Sequence, residues 1–296
     1  MEIVYKKIEN LEEIANDAIS DIADGISVFN NYLAYEFDIK TVKNSELADV
    51  SDDAKNWADD ICPDSLHFNH GSYLKGGMKH LTDELNNKPS SNRALLSLIS
   101  QKDVSGSGDK PIPSFMVFQT SIDEDTLYCT TYFRALEIST FLRVNIEKIR
   151  QRLVSKHSGC PRFTKIRLVI FSFRAYHNSS MIPLKKPEFD LLTAYEIFTK
   201  LKSAPKEFGN LIREKSKDST VVYLERLLNL KEGLEGGEGN LSNVGLILKH
   251  LNSSIENGNK LKEIRLLQSH HQSINPIAEN LSSSLINLAK EFDKCH

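Results

Sequence analysis

The chain has few of the residues that mark the most legible functions. It holds four cysteines, four methionines and one tryptophan among 296 residues. Cys62, Cys129, Cys160 and Cys295 form no Cys-x-x-Cys pair, and their spacing matches no zinc module. This argues against a disulfide framework and a structural metal, and for free thiols in a reducing compartment. No run approaches the ~20 apolar residues that span a bilayer. Residues 1–15 carry Glu2, Glu9, Glu12 and Glu13 and lack the apolar stretch of a secretion signal. A cytoplasmic protein without membrane attachment is expected. Charge of one sign is also lacking: 37 Lys and Arg against 40 Asp and Glu give a net charge of −3. Nothing in that balance drives the chain toward nucleic acid or an anionic membrane. A small anionic ligand stays compatible, because a few local arginines suffice.

Two tempting motifs fail on geometry. Ser105-Gly106-Ser107-Gly108-Asp109-Lys110 lacks the G-x-x-x-x-G-K-[ST] pattern of a phosphate loop. His270-His271 are adjacent, so on a helix they diverge by about 100° and share no face. No metal site is expected.

What is present is periodicity. Leu11, Ile14, Ala15, Ala18, Ile19 and Ile22 recur at helical spacing and predict a helix over 9–24, closed by Gly25. The β-branched and aromatic run 26–39 predicts two short strands turning at Asn30-Asn31. A helix is expected over 74–87, ended by Pro89. Strands are expected at 94–100, 114–121, 127–133 and 166–173, and a helix from Glu137 to about Leu153. Asp123-Glu124-Asp125 makes the turn between the second and third of those strands. Beyond 191 the pattern turns helical, with Leu261, Ile264 and Leu267, then Leu281, Leu285 and Leu288, at helical spacings. The segment 233–239 (GLEGGEG) reads as a flexible linker by composition. The expected fold is α/β (α+β): a mixed sheet packed with helices over 1–190, followed by a helical C-terminal module over 191–296.

Four segments occur in a telling order. They are Asn87-Lys88-Pro89-Ser90-Ser91-Asn92-Arg93; Pro113-Ser114-Phe115-Met116-Val117-Phe118-Gln119; Tyr132-Phe133-Arg134-Ala135-Leu136-Glu137, with Asn145 beyond; and Ser172-Phe173-Arg174-Ala175-Tyr176-His177-Asn178. Arg134 and Asn145 stand eleven apart, and Ser114 and Gln119 five apart. Upstream lies Trp57-Ala58-Asp59-Asp60, with Gly71 beyond it. Each segment alone is weak; the ordered set, over roughly 10–190, resembles the thymidylate synthase and deoxycytidylate hydroxymethylase superfamily.

The resemblance implies a homodimer through the sheet and a pyrimidine nucleoside monophosphate as ligand. It implies that Arg134 binds the phosphate from its own subunit and that Arg93 reaches it across the dimer. Guanidinium groups suit that task, since their forked donors match phosphate oxygens. A surface salt bridge is the plain alternative for each. The resemblance gives Asn145 and Gln119 the base, and puts Trp57, Glu137, Tyr176 and His177 around the rest of the pocket. Glu137 falls where the family has an aspartate against the folate. The resemblance implies that an asparagine at 145 favours uracil, where an aspartate would suit cytosine.

The departures concern chemistry. The family's nucleophile is a thiolate, and Ser114 stands in its place. A serine hydroxyl is far weaker unless a base takes its proton. The neighbouring position, a histidine in the family, is Phe115. The family's His-x-Tyr becomes Tyr176-His177, and no match to its proton-relaying glutamate helix occurs over 40–56. Cys129, on a neighbouring strand, is a poor substitute. The leading expectation is therefore a binding protein without catalysis and without cofactor, whose helical module signals occupancy or holds a protein partner. Two alternatives stand beside it: a divergent transferase using methylene-tetrahydrofolate, and a protein-interaction scaffold with no ligand.

Overall fold

The apolar run at 166–173 becomes the central strand of a mixed sheet. The computed structural model describes residues 3–74, 76–106, 111–179, 184–217, 221–239, 241–267 and 274–295. The chain divides into two compact units. The first comprises Met1–Pro63, Phe68–Gly106 and Ile112–Pro183; the second comprises Asp64–His67, Ser107–Pro111 and Leu184–His296.

In the first unit the elements run β1 (Lys6–Lys7), α1 (Glu12–Asp21), β2 (Ser27–Asp38), α2 (Ile39–Asn44), α3 (Ser51–Ala58), α4 (Gly77–Asn87), β3 (Leu95–Ser97), α5 (Gln101–Gly106), β4 (Phe115–Asp123), β5 (Thr126–Phe133), β6 (Leu136–Glu137), α6 (Phe141–Gly159) and β7 (Lys165–Tyr176). The sheet order is β1-β2-β7-β5-β4-β3, with β6 paired to β7. β7 runs antiparallel to β2 and parallel to β5. A parallel pair needs a crossover, and α6 lies in it. Among the described residues no helix is long and apolar enough to cross a membrane.

The helices gather on one face of the sheet. Tyr35 of β2 donates to Asp17 of α1. Leu96 of β3 lies where a Cβ on Gly77 of α4 would be, and Phe115 and Phe118 of β4 meet side chains of α6. Alternation along the strands sends the other side chains to the opposite face. There Tyr32 is 56% exposed and Phe173 49%; Phe29, 60% exposed, pairs with Arg174 and reaches the same patch only through its ring contact with Phe173. Phe29 and Phe173 meet edge to face at 5.5 Å, and Tyr132 stacks on Phe171 at 5.7 Å.

Two strand boundaries differ from expectation. The turn expected at Asn30-Asn31 is instead one unbroken strand, β2. Asn30 takes a positive φ of 54°, yet the register with β7 is unchanged on either side, Phe29 facing Arg174 and Asn31 facing Ser172. The continuous partner strand holds the ladder across the kink. In β4 a bulge between Phe115 and Val117 shifts the register against β5. It leaves Phe115 and Phe118, three apart, both buried.

The second unit is helical: α7 (Glu188–Leu191), α8 (Ala194–Ser203), α9 (Pro205–Lys215), α10 (Glu225–Glu235), α11 (Val244–Leu267) and α12 (Ile274–Asp293). Leu261, Leu281, Leu285 and Leu288 join one apolar core with Phe208 and Phe292. A capping box between Thr193 and Glu196 starts α8. Lys215 and Asp190 form a buried pair at 2.7 Å. The glycine-rich stretch expected as a linker is partly helix. α10 runs through Gly233, where a Cβ would come within 2.1 Å of the Phe198 ring. Close packing explains that glycine; only the turn after it carries positive φ, at Gly237 and Gly239. The histidine pair at 270–271 and most of the glycine-rich segment at 105–110 lie outside the described residues.

Candidate functional site

Arg134 follows β5, and its backbone N–H donates to the Ser114 carbonyl at 3.0 Å, so the two loop ends sit together. Its guanidinium turns onto its own chain. Nε donates to the Pro113 carbonyl at 3.3 Å and a terminal nitrogen to the Ile112 carbonyl at 3.0 Å. Arg174, near the end of β7, donates to the Ser27 hydroxyl at 3.2 Å and lies over the Phe29 ring at 5.8 Å. Its Nε is buried without a hydrogen-bond partner. Both guanidinium groups act on the Tyr176 phenol, favouring its ionised form. Burial prevails and, with Glu137 adding to it, lifts that phenol to about 12. Neither arginine makes an ion pair among the described residues. Arg174 belongs to the fourth sequence segment, but only the strand geometry ties it to Arg134 through Tyr176.

Ser114 is half-buried, and no histidine or carboxylate hydrogen-bonds its hydroxyl among the described residues. Phe115 is buried, stacked on Phe133 at 5.0 Å.

Other expected pocket residues are engaged locally. Glu137 receives the backbone N–H groups of Ser139, Thr140 and Phe141 at 2.7 to 3.0 Å. A carboxylate there caps α6 and complements its dipole. His177 places Nδ1 2.8 Å from the Ile22 carbonyl. Trp57 is a core residue, packed edge-on against Phe68 and Phe141. Its loop is held by Asn69, which donates to the Asp59 carbonyl at 2.6 Å. Gly71 fits beneath, where a Cβ would lie 2.0 Å from the same oxygen.

The pair expected to read the base is not brought together within one protomer. Phe118 and Thr120 of β4 face α6, so Gln119 between them points to the open face. It donates to the Asn92 carbonyl at 3.1 Å. Asn145 lies across the sheet on α6. Arg93 and Arg134 are separated too. Leu95 pairs with Gln119 and Phe115 with Phe133, so these arginines stand near opposite ends of β4, roughly 20 Å apart at ~3.3 Å per residue. Arg93 is exposed.

The structure adds a cluster that the sequence reading missed. Lys148, Arg152 and Lys156 recur every fourth residue along α6, and all three are buried: 0%, 6% and 1% exposed. Lys148 Nζ donates to Asn145 Oδ1 at 2.7 Å, contacts His70 Nδ1 and lies 4.5 Å from the centre of the Phe115 ring. Arg152 lies over Phe115 at 5.2 Å and Phe118 at 5.9 Å. Lys156 is 3.3 Å from the Thr120 hydroxyl. Burial pushes Lys148 well below the usual lysine range, and Arg152 adds to it. Burial lowers Arg152 to about 10 and Lys156 to about 8. Burial pushes His70 well below the usual histidine range, with Lys148 and Arg152 adding to it. Cys129 is no counter-ion: burial lifts its thiol to about 12, though Lys156 and Arg152 pull it down. The legible signal was Lys-x-x-x-Arg-x-x-x-Lys along one helix; in sequence it looks like a solvated stripe.

No group of three or more potential metal ligands occurs among the described residues. A comparison with protein-family models finds no match, and no curated protein matches the chain.

Proposed function

We propose that the first unit binds a pyrimidine nucleoside monophosphate without turning it over, as a thymidylate-synthase-like homodimer joined through the open sheet face. The helical unit then passes occupancy to a protein partner. The observation that carries this reading is that Arg134, beside Ser114, and Arg174 both act on the Tyr176 phenol, with no acidic side chain bonded to either guanidinium among the described residues. Two arginines left without carboxylates suit a dianion. The separation of Arg93 from Arg134 supports the dimer, because within one protomer they serve no common phosphate. The exposed Phe29, Tyr32 and Phe173 give the second copy an apolar surface to cover.

The absence of a base at Ser114 weighs against covalent catalysis. Tritium release from C5-labelled dUMP with methylene-tetrahydrofolate is expected to stay at background, and to remain there in Ser114→Cys. The inward engagement of Asn145 and Glu137 favours a second reading, a scaffold with no ligand. Titration calorimetry with dUMP, UMP, dCMP and dTMP separates the two. Binding of one of them supports the first; no heat with any at millimolar concentration leaves the scaffold.

A further inference from the structure

We propose that Arg152, flanked by Lys148 and Lys156, is the seat of a buried phosphate-type oxyanion held between α6 and strands β4 and β5. This inference does not rest on the nucleotide reading; it concerns other side chains.

Both terminal nitrogens of Arg152 are buried without a hydrogen-bond partner among the described residues. A buried guanidinium left unpaired costs several kcal/mol of desolvation, and proteins rarely leave one so. The aromatic rings of Phe115 and Phe118 lie near its face, which leaves the forked edge for a ligand. That edge matches two oxygens of one oxyanion. Lys148 and Lys156 stand one turn to either side, about 6 Å along the helix axis. Beneath them the sheet offers small side chains, Thr120 and Cys129, direct partners on β4 and β5.

Among the described residues no carboxylate pairs with Lys148, Arg152 or Lys156. Glu147 is the one carboxylate in α6, and it turns away to pair with Arg150 at 2.7 Å. Glu137 is spent on the helix cap. Among the described residues the other groups that meet this row include His70 and Cys129, and neither supplies an anion: burial holds the imidazole well below its usual range and lifts the thiol to about 12. With up to three cations and no anion, a doubly charged group fits better than a carboxylate, which offsets one charge.

The test is the melting temperature of the full chain in chloride buffer at pH 7 and constant ionic strength, with inorganic phosphate added to 50 mM. The variants are Arg152→Met and, as control, Arg134→Ala. Wild type and Arg134→Ala are expected to gain roughly 5–10 °C once phosphate exceeds its dissociation constant about 100-fold, while Arg152→Met gains nothing. Should Arg152→Met not fold, Lys156→Met serves, with the phosphate needed for a given gain raised about tenfold. Replacing phosphate by dUMP distinguishes a free from a carried group; a gain with either that disappears in Arg152→Met supports the site. A gain that survives in Arg152→Met and vanishes in Arg134→Ala overturns this inference while leaving the nucleotide reading intact. So does a wild-type melting temperature indifferent to both ligands, in protein whose native mass carries no anion.

Discussion

The ammonium of Lys148 lies 2.7 Å from Oδ1 of Asn145, three residues earlier on α6. The amide nitrogen of Asn145 donates to the Phe141 carbonyl at 2.8 Å. Both ends of the amide are therefore held, and the residue's orientation is fixed before any ligand arrives. Under the nucleotide reading this preorganised amide chooses the base. Asn145→Asp is expected to move the preference from uracil toward cytosine monophosphates by about tenfold, ~1.4 kcal/mol. Calorimetric affinities for dUMP and dCMP check this; an unchanged ratio would remove Asn145 from the pocket.

Lys156 makes stability depend on pH in an unusual direction. Its folded value, about 8, lies below the ordinary 10.5. Between those values the unfolded chain binds more protons than the folded one, so stability rises with pH there and falls as pH drops back through the window. Urea midpoints are expected to rise from pH 8 to 9.5, a range below ordinary tyrosine ionisation, and the slope is expected to shrink in Lys156→Met. A slope identical in both proteins would show that Lys156 is ordinarily charged. His70 acts in the same sense at lower pH: held neutral when folded, it withdraws stability as pH falls below about 6.5.

Glu137 is expected to matter more for the start of α6 than for any ligand. Glu137→Gln weakens charge-assisted bonds to three backbone N–H groups, and a loss of about 2 kcal/mol is expected. Chemical denaturation measures it. A stable variant with impaired nucleotide binding would instead place the carboxylate at the ligand.

The sequence pattern revealed elements where periodicity was strong and failed where local packing decided. The apolar run at 166–173 and the leucine spacing of α12 were legible because burial repeats there; in α11 Leu261 is buried, but Leu267 is 83% exposed. β6 was not: Leu136 and Glu137 pair with Ala175 and Tyr176 over only two residues, too few to show a period. Residues 137–140 read as helix, although α6 starts at Phe141, because Glu137 caps the helix from outside. Gly233 looked like flexibility and proved to be a contact with Phe198. Among the candidate site residues, Arg134, Ser114 and Tyr176 share one end of the sheet. Gln119 does not join Asn145, because strand alternation is invisible to motif spacing once a bulge intervenes. The buried cations escaped notice because a stripe of Lys and Arg ordinarily faces water.

The open sheet face makes an independent prediction. Phe29→Asp combined with Phe173→Asp is expected to convert a dimer into a monomer in sedimentation velocity, since like charges would then meet across the twofold. The fold of the protomer should survive, because both side chains are already largely exposed, at 60% and 49%. A wild-type protein that sediments as a monomer at high micromolar concentration would remove the shared phosphate site.

The most direct measurement is calorimetric titration of dUMP into the full chain and into Arg134→Ala. Binding with one site per protomer in the wild type, weakened at least tenfold in the variant, is the predicted result. Equal affinity in both proteins, or no binding by either at millimolar dUMP, would contradict the account.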